Sequence, residues 1–345
     1  MNTESKDIYY YQPAAIGELS SSLTKAFESM EADGNRYIKS ATVNSLLVVS
    51  ADYNKQEVED LIYTLTLVHP NRAFLVVVDE SCKEIRAEFS TRCHKISKSE
   101  HICSEVIRLF CSSSHFAQVK SILRANLMTG MPTELVLIEG RNPVEVYNQF
   151  GFLSEQVIFS TALFENNFSE IKTLLQYDPA LIDLEWVKLG SWREPVKEAF
   201  KNSLAREKLS ELRKIELTYS DAKHSALLLT GWMADRLGLD LKSKSGDKFT
   251  FKSRENTEIL IELISKSEAL KGVSNVSFIF GNSNEYVKIT RGDLMQTEIN
   301  FKENVKTSRP FEDLSFAELL KRYFFIGEST INYRDSLSNA LKLNS

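Results

Sequence analysis

Two apolar runs separated by one amphipathic segment constrain this chain more than anything else in it. Asn44-Ser-Leu-Leu-Val-Val-Ser50 is apolar without alternation and bounded by polar residues, the pattern of a strand buried on both faces. Ala73-Phe-Leu-Val-Val-Val78 repeats it. Between them Val58, Leu61, Ile62, Leu65 and Val68 recur at helical spacing, and His69-Pro70 stops the helix because proline cannot continue it. Strand, helix and strand at this spacing predict a βαβ unit with adjacent parallel strands.

The segments that follow extend that sheet. Ile85–Cys93 and Ile102–Phe110 alternate and predict an antiparallel hairpin. A helix through Phe116, Val119, Leu123 and Leu127, a strand at 134–138, a short helix after Pro143 and a strand at 156–159 come next. A helix through Phe168, Ile171, Leu174 and Leu175 closes this half. Residues 1 to about 15, with Tyr9-Tyr10-Tyr11-Gln-Pro13, read as an arm of weak order. The expectation is an α/β domain over 1–180 with an open mixed, mainly parallel sheet.

Residues 181–345 have another texture. Leu212–Tyr219 alternates as a strand, and Ala222–Leu237 is apolar nearly all round, which predicts a deeply buried helix capped by Gly238. Segments 249–251, 259–263, 276–280, 286–290 and 294–299 suggest an antiparallel meander with a turn at Asn282-Ser-Asn284. Helices over 316–325 and 331–341 complete an α+β domain. At 345 residues the chain exceeds what one core usually supports, so two domains are expected.

Between the halves lies Asp183-Leu-Glu-Trp-Val-Lys-Leu-Gly-Ser-Trp-Arg-Glu-Pro-Val-Lys-Glu-Ala-Phe-Lys201, with two of the three tryptophans. Ser191 and Glu194 have the spacing of a capping box, while Pro195 favours a helix that begins with proline in its first turn. Trp192, Val196, Ala199 and Phe200 form the apolar stripe. Trp186 and Trp192 suit a core. They also suit a recognition surface, in which Trp192 and Arg193 lie exposed beside Lys197 and Lys201 as an aromatic–basic patch, so Trp186, Trp192, Arg193 and Lys197 are the candidate partner-binding residues.

This segment, with Ala226-Leu-Leu-Leu-Thr-Gly-Trp-Met-Ala-Asp-Arg-Leu-Gly238 further on, resembles the glucose-6-phosphate dehydrogenase assembly protein family (OpcA-type). The resemblance extends to the strand at Ser45–Val49 and the His69-Pro70-x-Arg72 corner. It implies an accessory protein of the oxidative pentose phosphate pathway, with glucose-6-phosphate dehydrogenase as partner and no catalysis of its own.

Chemical signatures are sparse. The first strand-to-helix turn, Ser50-Ala-Asp-Tyr-Asn-Lys55, has none of the glycines with which a dinucleotide fold approaches a pyrophosphate. No phosphate loop or nucleophile elbow occurs, and no catalytic residue, cofactor or metal is expected. His69 reads as a partner of a helix C-terminus and His224 as a packed or surface histidine. Cys93-His94, His101-x-Cys103, Cys111 and His115 have metal-ligand residue types but irregular spacing. With no secretory leader at the N-terminus, the chain reads as cytoplasmic, and Cys82, Cys93, Cys103 and Cys111 are expected as free thiols, although a hairpin would bring Cys93 and Cys103 near each other. A net charge of −5 argues against nucleic acid as partner, and no apolar run is long enough for a membrane helix. An enzyme or a sugar-phosphate or nucleotide sensor using the strand-end crevice of the first domain stays open as the alternative.

Overall fold

The computed structural model describes residues 10–30, 36–39, 41–68, 70–95, 100–267, 271–281, 285–301, 304–326 and 332–344. The expected roles of Tyr9 and His69, and the turn at 282–284, lie outside them. The chain forms two compact units. The first comprises residues 1–159, 172–182 and 316–326, and the second 160–171, 183–315 and 327–345.

The first unit is built on one sheet. Its strands are β1 (Gln12–Ala14), β2 (Arg36–Lys39), β3 (Val43–Ser50), β4 (Asn71–Val78), β5 (Arg86–Lys95), β6 (Glu100–Cys111), β7 (Thr133–Val136), β8 (Gln156–Phe159) and β9 (Ala180–Asp183). The order is β1-β5-β6-β4-β3-β7-β8-β9, with β2 pairing β6. Strands β6, β4, β3, β7 and β8 run parallel, and β5 pairs β6 antiparallel, as the apolar runs and the alternation predict. Leu46, Leu47, Val48 and Val49 of β3 are all buried, because β3 lies between β4 and β7. Helices α1 (Leu19–Met30), α2 (Lys55–Val68), α3 (Phe116–Asn126) and α4 (Pro143–Phe150) belong to this unit. Asn142 caps α4 by accepting from the amides of Val144 and Glu145, with Pro143 in the first turn.

Three expectations need correction here. The N-terminal arm is tied down at residues 12–14, where β1 pairs β5, and Tyr10 is exposed while Tyr11 is held. The Tyr11 hydroxyl donates to Glu59, Arg92 donates to the hydroxyl, and the Arg108 guanidinium lies 3.4 Å from the centre of its ring. Residues 161–175 form 3-10 turns interrupted at Phe164 and Asn167, not a continuous α-helix. Cys93 and Cys103 are not free thiols: the hairpin register sets them directly opposite each other on β5 and β6, and they form a disulfide, while Cys82 and Cys111 remain free. Burial pushes the Cys111 thiol up to about 11.

The second unit contains an eight-stranded sheet: β10 (Leu212–Ser220), β11 (Asp240–Ser245), β12 (Lys248–Lys252), β13 (Glu258–Ser265), β14 (Gly272–Phe280), β15 (Glu285–Arg291), β16 (Leu294–Asn300) and β17 (Asn304–Pro310), in the order β11-β12-β13-β10-β14-β15-β16-β17. The meander is antiparallel except that β10 runs parallel to β13. The edge strands β11 and β17 escape the sequence pattern because they are polar and exposed, with lysines and a terminal proline, the usual means of blunting a sheet edge. Helices α5 (Leu184–Lys188), α6 (Gly190–Ala199), α7 (Ser203–Glu207) and α8 (Lys223–Leu237) belong to this unit. Residues 224–234 of α8 are buried throughout, and Gly238 ends it with φ 61°, a left-handed conformation that glycine adopts without strain. Helix α9 (Phe316–Ile326) belongs to the first unit and packs on α2; α10 (Tyr333–Asn344) belongs to the second and packs on α8. No helix among the described residues is long and apolar enough to cross a membrane.

Candidate functional site

The central segment begins with a buried acid. Asp183 ends β9 and caps α5, accepting from the Glu185 amide at 3.0 Å. It also accepts from the Thr161 amide at 2.9 Å and from the Thr161 hydroxyl. These donors favour the carboxylate, but the side chain has no water to solvate its charge. Desolvation raises the acid to about 6 against the hydrogen bonds, and the Glu185 charge adds to the rise. The buried Tyr333 hydroxyl is pushed well above its ordinary range by desolvation and then by Asp183.

This carries a pH prediction. A group whose folded pKa is raised contributes stability that is present below its unfolded pKa and is lost as pH rises through the folded one. The Asp183 contribution should therefore decline between about pH 4 and pH 6, by ~3 kcal/mol in all. Denaturant unfolding of wild type and Asp183→Asn across pH 4–7 measures it. Wild type should lose stability relative to the variant as pH rises, and a difference independent of pH would refute the assignment.

Helix α6 follows α5 with Leu189 alone between them. Neither expected helix start occurs: α6 begins at Gly190, the Trp192 and Arg193 amides donate to the Leu189 carbonyl, and Pro195 lies inside the helix. Because the helical path nearly continues through Leu189, Trp186 and Arg193 are seven residues apart on one side. The Arg193 guanidinium lies 3.6 Å from the Trp186 ring centre and donates to the Trp186 carbonyl at 2.9 Å. The Trp186 ring also meets Tyr333 at 5.6 Å between centres. Glu185, buried as well, accepts from the Ser225 hydroxyl on α8 at 2.6 Å.

The exposed aromatic–basic patch is therefore not formed. Trp186, Trp192 and Arg193 are 2%, 3% and 5% exposed. The physical reason is that Arg193 exchanges its hydration for the face of Trp186 and a backbone carbonyl. Of the four candidates only Lys197 is on the surface, where it donates to Glu194 at 2.6 Å and, through that hydrogen bond, lowers the Glu194 pKa. Glu198 and Lys201 accompany it on the polar side of the segment, both exposed.

In the first unit the sheet order reverses between β3 and β7, the place where open α/β sheets bind ligands at the carboxyl ends of their strands. Here the turn is closed by its own groups. The Ser50 hydroxyl donates to the Gly140 carbonyl at 2.6 Å, and Asn54 accepts from the Glu57 amide at the start of α2. Asp79, just past β4, accepts from the Ser81 amide and hydroxyl, which lower its pKa. Ala51, Asp52 and Tyr53 put side chains where a pyrophosphate would need bare backbone. His224 is buried on α8, and His115 accepts from the Ser112 amide ahead of α3. Among the described residues no three His, Cys, Asp or Glu side chains gather as a metal site.

The architecture, a doubly wound α/β sheet with a second, largely antiparallel sheet, is shared with a crystallised oxidoreductase from Sinorhizobium meliloti. The TM-score is 0.50 at 12% identity, over 88% of this chain and 96% of that one. At that identity the likeness concerns the fold alone. Residues 179–324 match the family model that describes the C-terminal domain of a glucose-6-phosphate dehydrogenase subunit. Two cyanobacterial relatives carry the provisional name OxPP cycle protein OpcA. That of Nostoc punctiforme is 26% identical over 193 residues, covering 52% of this chain and 42% of its own length, and that of Synechocystis sp. is 25% identical over 230 residues, covering 64% and 47%. The chain thus spans less than half the length of these relatives. Together the matches support the OpcA-type glucose-6-phosphate dehydrogenase assembly protein family, which the central segment resembles.

Proposed function

We propose that this chain binds glucose-6-phosphate dehydrogenase and promotes its assembly or activation, acting by contact and without chemistry of its own. The match of residues 179–324 to a family described by that dehydrogenase carries the reading. The closed switch-point turn of the first unit supports it, since a scaffold needs no nucleotide there. An activator of this kind must bind the active form of the dehydrogenase more tightly than the inactive form, because equal affinity for both shifts nothing. In this reading Trp186, Trp192 and Arg193 hold the shape of the central segment, and Lys197 belongs to its exposed face.

Titration of the chain into the dehydrogenase, with NADPH formation as readout, is expected to give a saturable rise in rate and a co-sedimenting complex. Absence of both would defeat the proposal. Marked thermal stabilisation of the isolated chain by a nucleotide or sugar phosphate would instead favour a sensor or enzyme using the strand-end crevice.

A further inference from the structure

The sheet of the second unit packs against α8 on one face and carries a polar basin of about 620 Å³ on the other. Small-molecule sites typically span ~300–1,000 Å³. Two side chains on the basin floor point to a ligand. Thr218 on β10 and Ser274 on β14 are 4% and 8% exposed, yet neither hydroxyl has a hydrogen-bond partner among the described residues. A buried hydroxyl left without a partner is costly, so the two are placed to meet something that enters the basin. Ser274 reaches the floor through a β-bulge. The pairs Thr218–Asn275 and Tyr219–Val273 leave it as an extra residue on β14. Consecutive residues of a regular strand face opposite sides, whereas Ser274 and Asn275 both line the basin. Bulges recur beside functional sites because they re-aim a side chain in this way.

The charges indicate the class of ligand. Lys266, just past β13, and Lys288 on β15 line the basin and have no ion pair among the described residues. The one carboxylate on the lining, Glu216, accepts from Lys214 at 2.6 Å. On a chain of net charge −5 the basin is therefore a local excess of positive charge, which draws an anion. A phosphate is typically met by free backbone amides or by an arginine fork. Here the floor strands spend their amides on the ladder. The arginine on the lining, Arg291, donates to the Lys271 carbonyl at 2.6 Å and lies over the Phe311 ring. Lysine ammoniums beside hydroxyls remain, and these suit a carboxylate. The other floor groups suit a sugar. Asn275, Ser277 and Thr290 join Thr218 and Ser274 in offering hydroxyl and amide groups. Tyr286 presents its ring, since its hydroxyl donates to Glu298 at 3.0 Å. We propose that the basin binds a small sugar acid, with its carboxylate on Lys266 and Lys288 and its hydroxyls on Thr218 and Ser274.

Isothermal titration calorimetry of the full chain with D-gluconate, with no dehydrogenase present, tests this independently of the activator reading. Saturable binding with a dissociation constant below ~1 mM is expected. The double variant Lys266→Gln with Lys288→Gln, at two exposed positions, should weaken it at least about tenfold by removing the charge-assisted bonds. Thr218→Val deletes one floor hydroxyl at nearly constant volume and should weaken it about fivefold. Should Thr218→Val fail to fold, the lysine variant carries the test. Glucose has the hydroxyls without the charge and should bind at least about tenfold more weakly than gluconate. Absence of saturable binding up to ~20 mM gluconate would overturn the proposal. So would binding unchanged in the double lysine variant, or tighter binding of glucose or glucose 6-phosphate than of gluconate.

Discussion

Gly231→Ala is expected to lower stability by about 3 kcal/mol, as overpacking of a tightly filled contact does. A Cβ built at Gly231 would lie 2.2 Å from the Ser336 carbonyl oxygen and 2.9 Å from the Ala340 nitrogen. Both are backbone atoms of α10, so no rotamer change can make room and the two helices must separate. Alanine has the better helix propensity by ~1 kcal/mol, which offsets only part of the cost. The midpoint of urea unfolding is the measurement. An unchanged midpoint would mean that α8 and α10 do not touch at Gly231. Larger residues should be worse in order of volume.

Arg193→Ala should cost ~2–4 kcal/mol, because it empties the space over Trp186 and leaves the Trp186 carbonyl buried without that donor. Arg193→Lys should recover only part of this, since an ammonium offers neither the planar stack nor the fixed donor geometry. Lys197→Ala, at an exposed position two helical positions beyond Pro195, should stay within about 0.5 kcal/mol of wild type. Thermal melts of the three variants compare them directly. Wild-type melting of Arg193→Ala would contradict its burial and return Arg193 to the surface.

The contrast between Arg193 and Lys197 shows where sequence reading succeeds. Buried β3 and β4 are legible because a strand covered on both faces must be apolar at every position. The βαβ order and the antiparallel β5/β6 hairpin follow from periodicity alone. Arg193 is not legible that way, since beside Glu194 and Lys197 it reads as one more charge on a solvated face. The clue in the sequence is its separation from Trp186: seven residues is two helical turns, and the helix-start signals at Ser191 and Pro195 between them mask it. The Cys93–Cys103 pair follows from the hairpin register, which sets the two residues opposite each other, whereas their spacing in the sequence does not mark them as bonded. Nothing local marks Asp183 as buried with Thr161, 22 residues away, or Tyr11 as bonded to Glu59, 48 residues away. Contacts of that kind depend on where the folded chain returns. The strands β11 and β17 are illegible for another reason: a sheet edge is held by backbone pairing, and its side chains need no apolar pattern.

The distribution of the chain between its two units sets an order of events during synthesis. The first unit holds residues 1–159 but also 172–182 and 316–326, and Leu320 of that last piece is fully buried. Helix α2, near the beginning of the chain, therefore waits for α9 as its cover until residue 326 has left the ribosome. At ~5–20 residues per second, the roughly 260 residues between them take on the order of ten seconds to a minute. During that interval the early sheet exists with one apolar helix face unsealed, the state in which a nascent chain is most open to chaperones. Completion of the first unit is thereby coupled in time to emergence of the second, so neither is finished long before the other.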